Sequence, residues 1–263
     1  MRIATLASSS SGNAIWVEEE ETAVLIDAGL SVRKLKEAAA QLERCLEQLA
    51  AVVVTHEHRD HTCGLGALSR KYNLPVYATE STWAAMEAQL GPIAEHNRCM
   101  LAPEEKIEIG ELAFEAFSTS HDAGDPVGYV FHTREATAGV MTDTGYVSRG
   151  MARKLMECEL LVFEANHDRE MLIQGPYPWS LKKRILSDRG HLANDTAGDV
   201  LARLWGGRQQ GVLLAHLSQE NNTPQKALKT VEEHFQALGI KPGEEAWLEV
   251  APASSPSTWL EKK

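Results

Sequence analysis

The run VVVTHEHRDHTCGL, residues 52–65, decides how the rest of the chain is read. Three valines make a short apolar stretch of β type, and the next residues deliver His56, Glu57, His58, Asp60 and His61 within six positions. Imidazoles and carboxylates crowded at the mouth of a buried strand are costly unless they are paired or bound to a metal. The H-x-H-x-D-H spacing suits a loop that turns back on itself. His56 and His58 then face one ion, Asp60 and His61 serve a second beside it, and Glu57 and Arg59 point outward or orient the ligands. A solvated surface loop near unrelated core histidines is the bland alternative.

Other strand-like runs end the same way. Asp27 follows AVLI, His121 comes shortly after LAFEAFSTS, Asp143 follows GVMT and His216 follows GVLLA. Sheets flanked by helices build their sites at the carboxyl ends of strands, and scattered solvated histidines have no reason to fall there. This placement predicts a three-imidazole site of His56, His58 and His121, a second site of Asp60, His61 and His216, and Asp143 as the carboxylate shared between them.

The bulk numbers fit such an enzyme. The chain has 263 residues, 43% hydrophobic and 24% charged, enough for one large domain with an ample core. No run of eighteen apolar residues suggests a membrane span, and the N-terminus lacks the apolar stretch of a secretory signal. Four scattered cysteines with no CxxC pair point to a reduced cytoplasm. The net charge of −11 argues against general nucleic-acid binding, but two divalent cations would add about four local positive charges that no sequence count includes.

Apolar β-type runs are expected at 2–6, 14–17, 23–26, 51–54, 76–78, 107–109, 112–117, 128–132, 139–141, 160–163 and 211–214. Helices are expected between several of them. Ser31 caps one over 32–42, Thr223 and Pro224 start one over 225–238, and Asn194 caps one over 195–204. Strands and helices so mixed predict an α/β or α+β arrangement in a single domain over residues 1–263. The tail APASSPSTWLEKK, residues 251–263, is expected to lie loosely on the surface.

THEHRDH at 55–61, with Asp27, His121, Asp143 and His216 in order, resembles the signature of the metallo-β-lactamase superfamily over nearly the whole chain. The resemblance implies an αββα sandwich of two mixed sheets. It also implies two divalent metal ions, zinc first and manganese or iron as alternatives, bridged by a hydroxide that attacks a carbonyl or phosphoryl centre. Asp27 in this superfamily supports the histidine loop without binding metal. Flavodiiron-type oxidoreductases resemble H-x-E-x-D-H instead, so His58 speaks against redox chemistry.

Fold alone does not choose among β-lactam, thioester, lactone and phosphodiester hydrolysis. The last third says more. Glu164 stands at a strand end in LLVFEANHD, His191 precedes a helix in GHLAND, and His216 opens HLSQENN. This succession resembles the nuclease branches, the tRNA 3′-processing endonucleases (RNase Z) among them, and most specifically the YycJ-type (WalJ) subgroup. SSSSGN at 8–13, TDTGY at 142–146, GHLAND and HLSQENN carry that likeness. Ala193 departs from it, since serine is commoner there. The subgroup implies phosphodiester hydrolysis, 5′-to-3′ on DNA more than on RNA. Departure of a sugar alkoxide calls for a proton donor, and His191 oriented by Glu164 would supply it; a helix-capping or packing histidine is the alternative. Asp60 counts both as ligand and as part of the catalytic set. SSSSGN reads as a tight turn that could also cradle a phosphate. Trp179, Lys182, Lys183 and Arg184, with Arg189, form the densest basic region near His191, equally readable as a solvated helix face. A thioester or lactone hydrolase with the same metals is the rival function, and a metal-stabilised scaffold without turnover a third. Cys63 is expected to be a small packed residue, and His167 has no assigned role.

Overall fold

The computed structural model describes residues 1–102, 105–206, 211–241 and 247–262. Its first sheet runs in the order β14 (Leu260–Glu261), β1 (Arg2–Ser9), β2 (Gly12–Glu19), β3 (Thr22–Ile26), β4 (Leu49–Val53), β5 (Val76–Ala78) and β6 (Arg98–Met100). The second runs β13 (Trp247–Val250), β12 (Gly211–Ala215), β11 (Leu160–Glu164), β10 (Thr137–Met141), β9 (Val127–His132), β8 (Leu112–Ser118) and β7 (Lys106–Ile109). Each sheet is antiparallel where short turns join its strands and parallel where helices intervene, as from β3 to β6 and from β10 to β13.

The sheets pack face to face. Val24, Ile26 and Val53 of the first meet Phe114, Tyr129, Val140, Val162 and Leu213 of the second in one apolar layer. Alternate residues point the other way. Leu25 and Val52 lie under α1 (Val32–Gln41), α3 (Leu65–Tyr72) and α4 (Glu80–Leu90). Leu161 and Phe163 lie under α5 (Arg149–Met156), α8 (Asn194–Leu204) and α9 (Pro224–Ala237). With both faces covered, the central strands are apolar throughout and read as continuous runs, not alternations. The αββα sandwich expected from the sequence is the fold observed.

Ser31 and Thr223 cap α1 and α9 through their hydroxyls, accepting from the amides of Lys34 and Lys226. The third cap is corrected. α8 begins at Asn194 itself, with Ala193 at the cap position offering no side-chain bond. Asn194 instead exchanges two amide hydrogen bonds with Asn222, at 2.9 and 2.8 Å. The loose tail is corrected as well. Leu260–Glu261 pairs with β1, Ser257 bonds Thr5 in both directions at 2.9 and 3.0 Å, and Leu260 is buried in the inter-sheet core. An edge strand with unpaired backbone groups captures such a segment, and the apolar Trp259 and Leu260 give it something to bury. Trp259 also lies against Arg2 and Arg44, whose guanidinium groups sit 4.9 and 5.5 Å from its ring centre. Cys63 is exposed, contrary to expectation.

In the first sheet β1, β3 and β4 run the same way and end at one edge. In the second, β8, β10, β11 and β12 do so. The loops that carry Asp27, the histidines of 56–61, His121, Asp143 and His216 leave these ends, Glu164 stands at one of them, and His191 lies in the turn just before α8.

Candidate metal centre

The loop after β4 turns directly into a single helical turn, α2 (Arg59–Thr62), which folds His61 back under His56. Three further residues are aimed by backbone strain. Asp27, Asp143 and His216 follow strand ends with φ of 61°, 54° and 56°, the left-handed region that costs a side-chain-bearing residue about 1–3 kcal/mol. Each sharp turn swings its side chain off the strand and into the space between the loops.

The far nitrogen of four imidazoles is already engaged, which fixes the near one. His61 Nδ1 lies 2.7 Å from Asp27 Oδ2, and His121 Nδ1 lies 3.1 Å from the Gly190 carbonyl. His56 Nδ1 lies 3.0 Å from Thr55 Oγ1, and that hydroxyl donates to Asp27 Oδ2 at 2.8 Å. His216 Nδ1 lies 3.1 Å from Glu164 Oε1. Assigned from this network, the tautomers leave Nε2 of each ring as a lone pair facing inward, the arrangement that metal-binding histidines adopt. Asp27 thus orients His61 directly and His56 through Thr55, and among the described residues it has no hydrogen bond to another candidate ligand.

The inward atoms form two nests. His56, His58 and His121 make one and Asp60, His61 and His216 the other, with the donor atoms of each set within 4.8 Å of one another. Asp143 stands between them, Oδ1 3.8 Å from His121 Nε2 and Oδ2 3.4 Å from His61 Nε2. Asp143 Oδ2 and His216 Nε2 are buried without a hydrogen-bond partner. Each such orphan costs about 1–3 kcal/mol, and a cation between the nests would remove both penalties. All-nitrogen and mixed carboxylate–imidazole sets of this kind fit a pair of divalent ions. Asp143, Glu164, His191 and His216 also form a compact set. There, however, Glu164 Oε1 already receives Nδ1 of both rings, so a hydrogen-bonded cluster describes it better.

The electrostatics agree. Burial alone would push His216 down, but Asp143, Asp60 and Glu164 together raise it to about 10. Burial opposes and the carboxylates Asp143 and Asp27 outweigh it at His61, which also rises. Burial would raise Asp143, and His216, His61, His56 and His121 hold it well down instead. His56 is pushed down by burial and by the neighbouring imidazoles. The carboxylates thus outweigh burial at His61 and His216, while burial wins at His56 and His121.

Glu164 is fully buried at the end of β11. Its Oε1 accepts from His191 Nδ1 at 2.7 Å as well as from His216, and its Oε2 accepts from the Thr144 and Leu192 amides at 3.0 and 3.3 Å. Burial would raise this carboxyl, but the charge and hydrogen bond of His191 bring it to about 2. The His191 ring lines a cavity of about 230 Å³ together with His58, Asp60, His121, Asp143 and His216. The opposite wall is α7 (Trp179–Ile185), contributing Leu181, Arg184 and Ile185, with Tyr177 just before it.

All ten candidate residues, Asp27, His56, His58, Asp60, His61, His121, Asp143, Glu164, His191 and His216, therefore converge on one place. Sequence reasoning missed the groups that hold them. Asn13 Nδ2 lies 3.4 Å from Asp60 Oδ2, and Ser8 Oγ accepts the His216 amide at 2.7 Å; Glu57, expected to point outward or orient the ligands, accepts the Gly124 amide through Oε1 at 2.8 Å. Asn222 donates to the carbonyls of Ala165 and Asn166, and Asn166 Nδ2 donates to the His216 carbonyl at 2.8 Å. The asparagines of GHLAND and HLSQENN thus knot three loops together. Buried asparagine in a loop was the available signal. Asp122, whose Oδ1 lies 3.3 Å from His121 Nε2, and Thr55 gave none.

Residues 22–216 match the family model described as the β-lactamase superfamily domain. The chain is 41% identical over 244 residues to "Exodeoxyribonuclease YycJ" of Bacillus anthracis, covering 93% of this chain and 92% of that one. It is 41% identical to "Exodeoxyribonuclease WalJ" of Streptococcus pneumoniae, covering 86% and 85%. Among solved structures, the metallo-β-lactamase fold protein YhfI of Bacillus subtilis superposes with a TM-score of 0.73 at 16% identity, over 97% of this chain and 98% of that one, a likeness of fold. No helix among the described residues is long and apolar enough to cross a membrane.

Proposed function

The chain belongs to the metallo-β-lactamase superfamily of metal-dependent hydrolases, and from that premise we propose that it is a two-metal phosphodiesterase degrading DNA from a 5′ end. The observation that carries this reading is the Glu164–His191 pair on the cavity wall. A proton donor is superfluous for a thiolate, whose conjugate acid has a pKa of about 8.5. A sugar oxygen leaves as a far more basic alkoxide, and it needs one. The 41% identical relatives named exodeoxyribonucleases support DNA as the polymer.

His56, His58 and His121 would hold one cation, Asp60, His61 and His216 the other, and Asp143 both. The pair, when bound, supplies an acidified water and neutralises charge on a phosphate. Zinc fits this donor set, as do manganese and iron. The chain's own residues do the rest. Glu164 stays ionised and accepts the Nδ1–H of His191; with both ring nitrogens protonated, the ring presents Nε2–H to the cavity and gives that proton to the departing 3′ or 5′ oxygen. Asp27 and Thr55 keep His56 and His61 from rotating away. Asn13 steadies Asp60. Four scattered cysteines without a CxxC pair support a reducing, cytoplasmic home for it.

The test is a parallel assay of 5′-labelled duplex DNA, single-stranded RNA and a glutathione thioester, each with zinc or manganese. Successive mononucleotide loss from the labelled DNA end is the expected result. Turnover of the thioester alone would overturn the proposal, and no turnover of any would favour a scaffold.

A further inference from the structure

The fold sorts the basic residues at 179–189 three ways: Lys182 and Arg189 have structural partners, Lys183 is exposed and lies outside the cavity lining, and Arg184 stands on the cavity wall with a single nitrogen engaged. Lys182 is buried, and its Nζ donates to the carbonyls of Ile173 and Gly175 at 2.8 and 2.7 Å, fastening α7 to the preceding α6 (Arg169–Gln174). Arg189 donates from Nε to the His121 carbonyl at 3.2 Å, bracing the loop that carries that ligand. Arg184 differs. It lines the metal cavity, its side chain is 55% exposed, and Nε alone is engaged, by Asp122 Oδ2. Among the described residues its two Nη groups have no hydrogen bond. The other oxygen of Asp122 is buried, unpartnered and turned toward His121 Nε2 at 3.3 Å.

Asp122 therefore fixes one edge of a guanidinium beside the His56–His58–His121 nest and leaves the outer edge, two N–H-bearing nitrogens in a plane, open to the cavity. A planar fork of that kind matches two oxygens of a phosphate. Resting on the phosphodiesterase reading, we propose that Arg184 binds the phosphate next to the one being cut and that Asp122 positions it. α7 is then the wall that recognises the polymer strand, which tells a polynucleotide from a small ester. The cavity's charge permits it. Asp122 and Arg184 offset one another, and two divalent ions would balance the charge of Asp27, Asp60, Asp143 and Glu164, so the site itself adds no net negative charge against an incoming polyanion.

The experiment measures kcat/KM for a labelled oligonucleotide between about 50 and 200 mM salt in the metal-loaded wild type, R184A and R184K. R184A should lower kcat/KM on the order of ten-fold, mostly through KM, the loss of one charge-assisted contact. Its plot of log kcat/KM against log salt should be shallower by about 0.7–0.9, one phosphate contact fewer. R184K should keep the wild-type slope, because the charge remains, but recover only part of the KM, because an ammonium lacks the planar fork. An R184A slope equal to the wild type's, or an R184K slope equal to R184A's, overturns the assignment of Arg184 while leaving the reaction untouched. A wild type that cuts no phosphodiester removes the reaction itself, and this inference with it.

Discussion

Replacing His191 by alanine should slow DNA cleavage by an amount that depends on what is leaving. Its Nδ1 is held 2.7 Å from Glu164, and its ring is one-fifth exposed to the cavity, placed to give up a proton from Nε2. A positioned general acid contributes about 10²–10⁴-fold, or about 2.7–5.4 kcal/mol of barrier, and kcat on DNA should fall on that scale. On bis(p-nitrophenyl) phosphate the leaving phenolate needs no proton, so the same variant should stay within about ten-fold of the wild type. Glu164→Gln keeps shape and removes charge. The lost charge-assisted bond of about 1.5–3 kcal/mol corresponds to about 10- to 150-fold on DNA. Because the two act as a unit, the double variant should be no slower than His191→Ala. Since Glu164 also holds His216, bound metal measured by mass spectrometry separates a lost proton donor from a loosened cage. Equal losses on both esters, with metals retained, would refute proton donation by His191.

Three further outcomes follow from the geometry. Asp143→Ala should lower bound metal below two ions per chain, measured by plasma mass spectrometry after gel filtration, because both nests lose their common carboxylate. Stripping the metals with a chelator should lower the melting temperature, and restoring an ion at about 100 times its Kd should return about 2.7 kcal/mol; an unchanged melt would mean that the folded state holds no cation. Glu18 is buried where burial alone would raise its carboxyl, yet bonds from Arg44 and Trp16 and the charge of Arg2 hold it below the ordinary range. A depressed folded-state value means that its stabilisation is complete above the unfolded value of about 4.3 and fades as pH falls through the folded one. Urea midpoints compared at pH 7 and in acid should therefore drop more for the wild type than for Glu18→Gln.

The sequence by itself determined most of the strands, β6, β13 and β14 aside, and what stands at the ends of those that carry the site. Valine, isoleucine and leucine runs buried on both faces are continuous, so a residue such as His56 or Asp143 is conspicuous where the run stops. The five strand ends that carry site residues, four of them candidate ligands and one the supporting Asp27, were legible for that reason, and Glu164 with His191 because of their place in the order of motifs. Only the tertiary structure decided how these groups are held and what faces them. A left-handed φ at Asp27, Asp143 or His216 leaves no mark in the residue type, and the Thr55–Asp27 relay joins residues twenty-eight apart. The tail shows the same division. Proline and serine in 251–263 signal irregular backbone locally, while the open edge of β1 that captures Leu260 lies at the other end of the chain. Likewise Lys182, Arg184 and Arg189 are equal charges in the sequence. Packing engages two of them on carbonyls and leaves Arg184 at the cavity, because only the folded chain brings those carbonyls within hydrogen-bond reach.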